Sequence, residues 1–439
     1  VTLPPPFGRT VPGNRWDLVT ADPAPTPTRT VSVVVAHYDQ QRQLDRTLTA
    51  LARQTYPAHL VEIVVADDGS PVPPRVPDGV RLVRQEDAGF RLAAARNLGV
   101  RHSTGELLCF LDADTAPEPD YLARLLRLPS ALPEAVTVGR RRHADLREAA
   151  PQEALADAVA RHPLPEPSWL AQAYRGSRDL LDADDRSYRH VIGAVIGCSR
   201  WFLEQIGGFD ETFLAYGGED WEWAHRAWAG GAVLAHVPDA VAWHDGPEWA
   251  ERDEAGARAA RAAKNAETLR LTTAIPVAGS RPFAVLTGGT DTRVVLERAH
   301  GAAQALVCVD SVLAALPHAR VVVPPEVAGV FAADPRVSPA AAIDAPAGAT
   351  PSPPLVTVHL GEPVRFTDPE VLGRAIAELR DDVATVALGE HVTVRSGRGT
   401  LRRGRWGEAA GWRDVARPPD GIVSLPDEPE LAAYLGGWG

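Results

Sequence analysis

Short apolar runs alternate with helical patterns over the first hundred residues, and this rhythm constrains the fold more than any other feature. Val31 to Ala36 is a run rich in valine. Leu44, Leu48 and Leu51 then recur at helical spacing and predict a helix from about Gln40 to Gln54. Val61 to Ala66 and Val80 to Val83 are further strands, Arg91 to His102 is Ala-rich and helical, and Leu107 to Leu111 is a fourth strand. Strands that are apolar throughout, not at alternate positions, are buried on both faces, as in a parallel sheet covered by helices. The expected class is α/β: a Rossmann-like, mostly parallel sheet with helices on both faces.

From Val136 to His244 the pattern loosens. Val191 to Ile196 reads as a strand, Arg200 to Gln205 as a short helix, Glu219 to Ala229 as a helix, and Ala232 to His236 and Val241 to His244 as two short strands. A long helix, Glu251 to Leu271, leads to a boundary at Pro276 to Pro282. Beyond it, Phe283 to Leu286 reads as a strand, Val294 to Leu316 as a helix with a break, Arg320 to Val323 and Leu355 to Leu360 as strands, and Pro369 to Leu379 as a helix. Pro339 to Pro354 is an Ala/Pro-rich loop. Three parts follow: a proline-rich arm (1–29), an α/β domain (30–275) and an accessory α/β domain (283–439). The segment Phe283 to Val323 echoes Val31 to Val65. The first copy ends in Asp67-Asp68-Gly69-Ser70 and the second in Pro324-Pro325-Glu326, as in a duplicate that has lost its function.

The 439 residues carry a net charge of −12, and no basic cluster offsets it. That argues against nucleic acid as a partner, because a phosphate backbone needs a positive face. Three widely spaced cysteines fit neither a metal spacing nor a disulfide framework, as expected of a reducing compartment. The proline-rich start lacks the cationic and apolar regions of a secretory signal. No apolar run approaches the ~20 residues of a membrane span. A cytoplasmic location is the expectation. Oligomeric state is not legible.

Ligands of open α/β sheets bind beyond the carboxyl ends of the strands. Three such ends here are polar: His37-Tyr38-Asp39, Asp67-Asp68-Gly69-Ser70 and Asp112-Ala113-Asp114. Tyr38 can stack on a base, and Asp68 can accept an imide N–H. Asp112 and Asp114 can share a divalent cation and leave its other positions to phosphate oxygens. Arg91, Arg96 and Asn97 lie near the helix after the third strand, where the arginines can offset diphosphate charge, Arg91 being equally a surface residue of an amphipathic helix. Any one cluster could be only a turn or a helix cap, but three on one edge favour a ligand. Gly217-Gly218-Glu219-Asp220 precedes a helix in an aromatic setting of Tyr216, Trp221 and Trp223. Glycines allow a close approach of backbone to substrate, and a carboxylate at the helix start can act as a general base. The competing reading is plain capping, with the tryptophans in the core. His244 ends a strand and can reach a metal held at other strand ends. His236, one strand earlier, competes for that role.

In this order the motifs V-S-V-V-V-A-H-Y, V-V-A-D-D-G-S, A-A-R-N-L-G, C-F-L-D-A-D and Y-G-G-E-D-W-E-W resemble family 2 glycosyltransferases of the GT-A fold. The last motif also resembles that of galactosyltransferases and chondroitin-polymerase-type enzymes. The likeness spans about Val31 to His244. It implies an inverting transferase that uses a nucleotide diphosphate sugar, expected to be UDP-linked, with Mn2+ or Mg2+ and a glycan or small-molecule acceptor. By position, Ala36, Tyr38 and Asp68 match nucleobase contacts, Arg96 a ribose or diphosphate neighbour, and Asp112 a ribose or metal carboxylate. Asp114 matches the metal ligand, His244 a distal metal histidine, Asp220 the base and Glu219 its acceptor-orienting neighbour. The Q-x-x-R-W motif of membrane synthases is missing. A sugar nucleotidyltransferase of similar fold would carry a Gly-rich basic loop where this chain has His37-Tyr38-Asp39. A non-catalytic glycan-binding protein would not need Asp114 and Asp220.

Overall fold

In the computed structural model, residues 4–19, 26–247, 257–340 and 353–437 are described. The chain divides into two units, the first running to Leu271 apart from residues 229–231, the second comprising those three residues and 272–439.

The first unit is built on β1 (Val31–His37), β2 (Val61–Asp67), β3 (Val80–Arg84), β4 (Leu107–Asp112), β5 (Thr115–Pro117), β6 (Ala135–Ala144), β7 (Pro163–Leu164), β8 (Val195–Ser199) and β9 (Val233–Asp245). Their order is β3-β2-β1-β4-β8-β6-β9-β5, with β7 paired to β6. The β3-β2-β1-β4 half is parallel; β8 runs antiparallel to both β4 and β6, and β6 is parallel to β9. Every residue of β1 is buried; its apolar residues require this, and the two polar ones are paired, Ser32 with Glu62 and His37 with Asp67. The Leu92–Arg101 helix lies close on β1 because Gly99 has no side chain there: a Cβ would stand 2.4 Å from a Val34 methyl. These elements follow the expected α/β pattern, and strands 1 to 4 lie within a residue of their expected bounds.

Other expectations change. The strand expected at Val191 to Ile196 is Val195–Ser199. The two strands expected between Ala232 and His244 are one strand, β9, in which three extra residues, Pro238 to Ala240, bulge between Val237 and Val241 opposite Gly139 and Arg140. β6 escapes a hydrophobic scan because Arg140, Arg141 and Arg142 form its second half. The proline-rich arm is no separate appendage over its described part. Val11 and Val19 pack with Leu128, Leu132, Ala135, Val233 and Ala235, and buried Asn14 donates to the carbonyls of Leu180 (2.6 Å) and Leu234 (2.9 Å). The long helix is Ala257–Ala274; its expected start at 251–256 lies outside the described residues, as does most of the Ala/Pro loop (341–352).

The second unit has β10 (Thr292–Leu296), β11 (Arg320–Val323), β12 (Val337–Pro339), β13 (Val356–Leu360), β14 (Val364–Phe366), β15 (Val383–Leu388), β16 (Val392–Ser396), β17 (Arg413–Arg417) and β18 (Ile422–Ser424). Seven of them form a sheet ordered β12-β11-β10-β13-β16-β15-β17, while β14 pairs with β18. Phe283 to Leu286 is not a strand, and the helix expected from Val294 is in fact β10 followed by the Ala302–Ala315 helix. Both segments are apolar, and periodicity alone does not separate a buried strand from a buried helix. Among the described residues no helix is long and apolar enough to cross a membrane. All three cysteines are buried and free.

Candidate active site

Parallel pairing brings the ends of three strands level. Ala36 lies opposite Ala66 on one side and Asp112 on the other. The Ala36 carbonyl accepts from Ala113 N–H, and the His37 carbonyl from Asp68 N–H, each at 2.8 Å. Asp67 is the buried hub beneath them. It takes His37 Nδ1 (2.8 Å) and Arg84 Nε (2.9 Å) and a hydrogen bond from the Ser70 hydroxyl. That hub turns Tyr38 outward, 47% exposed. Asp68 is buried beside it and accepts from Arg91 N–H at 2.7 Å. Burial raises the Asp68 carboxyl above its usual range, against the pull of Gln85 and Arg91. Asn97 does not face the cleft; its amide exchanges hydrogen bonds with the backbone of Phe209.

The β5–β9 pairing sets Thr115 opposite His244 and so carries Asp114 to His244, whose Nε2 stands 3.5 Å from Asp114 Oδ2. His244 Nδ1 lies 3.1 Å from the Gly246 carbonyl. A carbonyl only accepts, so Nδ1 must carry the hydrogen. Nε2 therefore faces the carboxylate, to which it donates when the ring is protonated and beside which it can ligate a cation when the ring is neutral. Burial works to raise Asp114, but the hydrogen bond and charge of His244 outweigh it and hold the carboxyl low. His244 is raised correspondingly, against its own burial. One carboxylate and one imidazole, with the imidazole oriented by a backbone carbonyl, suit Mn2+ or Mg2+ that takes its remaining oxygens from phosphate. Among the described residues no group of three or more His, Cys, Asp or Glu side chains converges, Asp112, Asp114 and His244 included. His236 is elsewhere: it stacks on Tyr174 with centroids 3.6 Å apart and bonds Asp179 at 2.7 Å.

The Glu219–Ala229 helix begins after Gly217 and Gly218, with φ of 92° and 94°. Only glycine tolerates two successive residues there at little cost. Asp220 Oδ2 accepts from Gly193 N–H at 2.9 Å and Oδ1 from Trp221 N–H at 2.8 Å. Burial raises its carboxyl, opposed by those donors and by Arg96. Glu219 is buried; burial and the Asp220 charge raise it as well. Its Oε1 takes Arg96 Nη1 at 3.0 Å, while Oε2 has no hydrogen-bond partner among the described residues. Arg96 Nη2 reaches Asp112 at 3.0 Å. Trp223 is core, stacked on Phe209, whereas Tyr216 is exposed and meets Phe90 edge-on at 5.6 Å.

In the sequence Asp67 stands only as a member of a polar strand end, with no role of its own, and neither Gly193 nor Arg141 is singled out. The charge of Arg141 acts on Asp114, His244 and Asp220 together. Its signal was present as an arginine run inside a strand, where charges are unusual.

Residues 32–202 match the profile of Glycosyl transferase family 2, and residues 183–242 match that of the N-terminal domain of galactosyltransferase. A chondroitin synthase of Pasteurella multocida is 30% identical over 252 residues, covering 51% of this chain and 25% of that protein. A validoxylamine A glucosyltransferase of Streptomyces hygroscopicus subsp. limoneus is 32% identical over 243 residues, covering 49% and 52%. A solved mannosyltransferase from Pyrobaculum calidifontis, in complex with GDP-Man and Mn2+, superposes with a TM-score of 0.40 at 22% identity, covering 59% of this chain and 67% of that one. The chain spans a quarter to about half the length of the curated relatives it matches best. Residues 32–202 thus resemble glycosyl transferase family 2, and the relatives in which the similarity continues are glycosyltransferases.

Proposed function

We propose that the first unit transfers a sugar from a nucleoside diphosphate donor to an acceptor hydroxyl with inversion at the anomeric carbon. The observation that carries this reading is the Asp114 carboxylate facing the Nε2 of His244 at 3.5 Å, the imidazole being oriented by the Gly246 carbonyl, with Asp112 at the end of β4 two residues before. Tyr38 and Asp68 flank the nucleobase, with the Asp68 carboxylate accepting the imide N–H of a uracil, so the donor is a UDP-sugar. The Ala36 segment supplies the backbone floor. A divalent cation held by Asp114 and His244 would neutralise charge on the departing diphosphate. Asp220 takes the acceptor proton as the acceptor oxygen bonds to the anomeric carbon and the bond to the diphosphate oxygen breaks. The raised carboxyl of Asp220 makes it a better proton acceptor than a solvated aspartate. Glu219, beside Asp220 at the start of the helix, orients the acceptor. The second unit is a degenerate copy that adds no donor site.

Asp220→Asn tests this reading. The amide keeps the shape and loses the basicity, so kcat for transfer falls by roughly 10²–10⁴-fold while UDP binding with Mn2+ persists. An undiminished kcat returns Asp220 to the role of a helix cap. Wild-type transfer that is indifferent to EDTA removes the metal from the scheme.

A further inference from the structure

Arg96 is 1% exposed. A guanidinium at that depth persists only with partners, and its partners lie on two sides. Nη2 donates to Asp112 at the end of β4, and Nη1 donates to Glu219, the first residue of the helix that carries Asp220, both at 3.0 Å. Gly193 lies against the same guanidinium: a Cβ there would stand 2.7 Å from Nη2 and 2.8 Å from Nη1. The N–H of Gly193 is in turn a donor to Asp220. One planar fork thus links the donor end of the sheet, the start of the base helix and the loop that holds the base.

An arginine that clamps a diphosphate must turn its fork to the ligand. This fork is taken up by two protein carboxylates. We propose that Arg96 is a positioning residue, a buried strut that fixes the Asp220 helix against the Asp112 strand end and supplies the counter-charge shared by Glu219 and Asp220. The proposal rests on the reading of Asp220 as the base. The charged groups facing the Glu219–Asp220 pair are Arg96 from the Leu92–Arg101 helix, Asp112 from β4 and Arg141 from β6. Arg96 alone among them bonds to both the donor strand end and the base helix. Lysine at this position would keep the charge, but a point donor does not reproduce the fork.

The test compares Arg96→Met, Arg96→Lys and Glu219→Gln with the intact chain in steady-state transfer across pH. Arg96→Met lowers kcat by about 10²-fold, the effect of a small misplacement of a reacting group, and changes donor KM by less than about threefold. Its acid limb of kcat moves to higher pH, because two adjacent carboxylates lose their cation. Arg96→Lys restores the limb but not kcat. Glu219→Gln, which keeps Arg96 paired with Asp112 should Arg96→Met fail to fold, lowers kcat and moves the limb to lower pH by removing a like charge. A donor KM raised tenfold or more at unchanged kcat makes Arg96 a ligand contact and overturns the proposal. So does an unchanged kcat and limb while Asp220→Asn is inactive, which leaves the base assignment standing. Full transfer by Asp220→Asn overturns the base assignment and the strut together.

Discussion

In the first unit β1 lies between β2 and β4, β3 extends the parallel edge, and beyond β4 come antiparallel β8, then β6, then β9 parallel to β6. In the second unit β10 lies between β11 and β13, β12 extends the parallel edge, and beyond β13 come antiparallel β16, then β15, then β17 parallel to β15. Even the swap in chain order is the same, since β8 follows β6 and β16 follows β15. The registers agree as well. Ser199 ends β8 opposite the first residue of β4, and Ser396 ends β16 opposite the first residue of β13. Each serine caps the helix that follows, accepting from Phe202 N–H at 3.1 Å and from Gly399 N–H at 3.2 Å. What differs is chemistry at the strand ends. Counted by register, Asp112 falls on Gly361, Asp114 on Pro363 and Asp67 on Pro325. Glu362 is tied to Arg298 at 2.8 Å. No helix like Glu219–Ala229 stands between the Gly397–Trp406 helix and β17. A sheet of this winding is thus a frame, and acidic side chains at its edge decide whether it can hold a charged donor.

The largest expected effect separates the two frames directly. Asp114→Ala lowers metal-dependent transfer by at least ~10²-fold, roughly 3 kcal/mol of barrier, whereas Glu362→Ala leaves it unchanged. Calorimetry with UDP and Mn2+ gives one site per chain, and that site vanishes in Asp114→Ala. A second site that survives the substitution breaks the contrast and makes the second unit a working transferase.

Acid bears on both units, since burial lowers His318 and His359 of the second as well, but the large shift is in the first. Burial and the nearby Arg226 charge lower His225 of the first unit to about 4, and burial lowers His190 and His236 in the same direction. Between the usual histidine value and about 4, the unfolded chain binds a proton at His225 that the folded chain refuses. Stability is therefore present above pH 6.5 and falls as pH drops toward 4, by ~2–3 kcal/mol for His225 alone. Denaturant midpoints of the first-unit transition, taken from pH 7 to 4.5, fall less steeply in His225→Phe. Equal slopes in the two proteins would mean that His225 is not the acid-sensitive group.

The smallest effect concerns the shared caps. Ser199→Ala and Ser396→Ala each cost about 1 kcal/mol, read as shifts of the first- and second-unit melting transitions respectively. A loss in one unit but not the other would show that the matched register has outlived a matched energetic role.

Much of this was legible in the residues. Val31 to Ala36 and Leu107 to Leu111 identify themselves because a strand buried on both faces needs apolar side chains throughout, and the acids that follow mark where it meets solvent. Glu219 to Ala229 was legible because two glycines and two carboxylates announce a helix start. β6 was not, because Arg140 and Arg142 share Glu166, which lies on a distant segment, and a single-strand reading sees charge without its partner. The placement of Arg96 was hidden for the same reason: one carboxylate is 16 residues away and the other 123. The matching winding of the two sheets was only glimpsed, because β10 and the helix after it run together as one apparent element.

The arm carries a consequence for how the molecule assembles. Asn14 meets Leu180 and Leu234 across 166 and 220 residues of chain, while Arg178, Asp179 and Leu180 sit at positive φ in a strained left-handed turn. Closing loops of that length is entropically costly until the intervening chain is already in place. The segment around Asn14 is therefore among the last to become ordered: the Leu234 carbonyl is in place for it only once β9 has been made and paired. A chain halted before Val233 lacks Val233 and Ala235 and leaves Val11 and Val19 with only Leu128, Leu132 and Ala135 of their buried cluster.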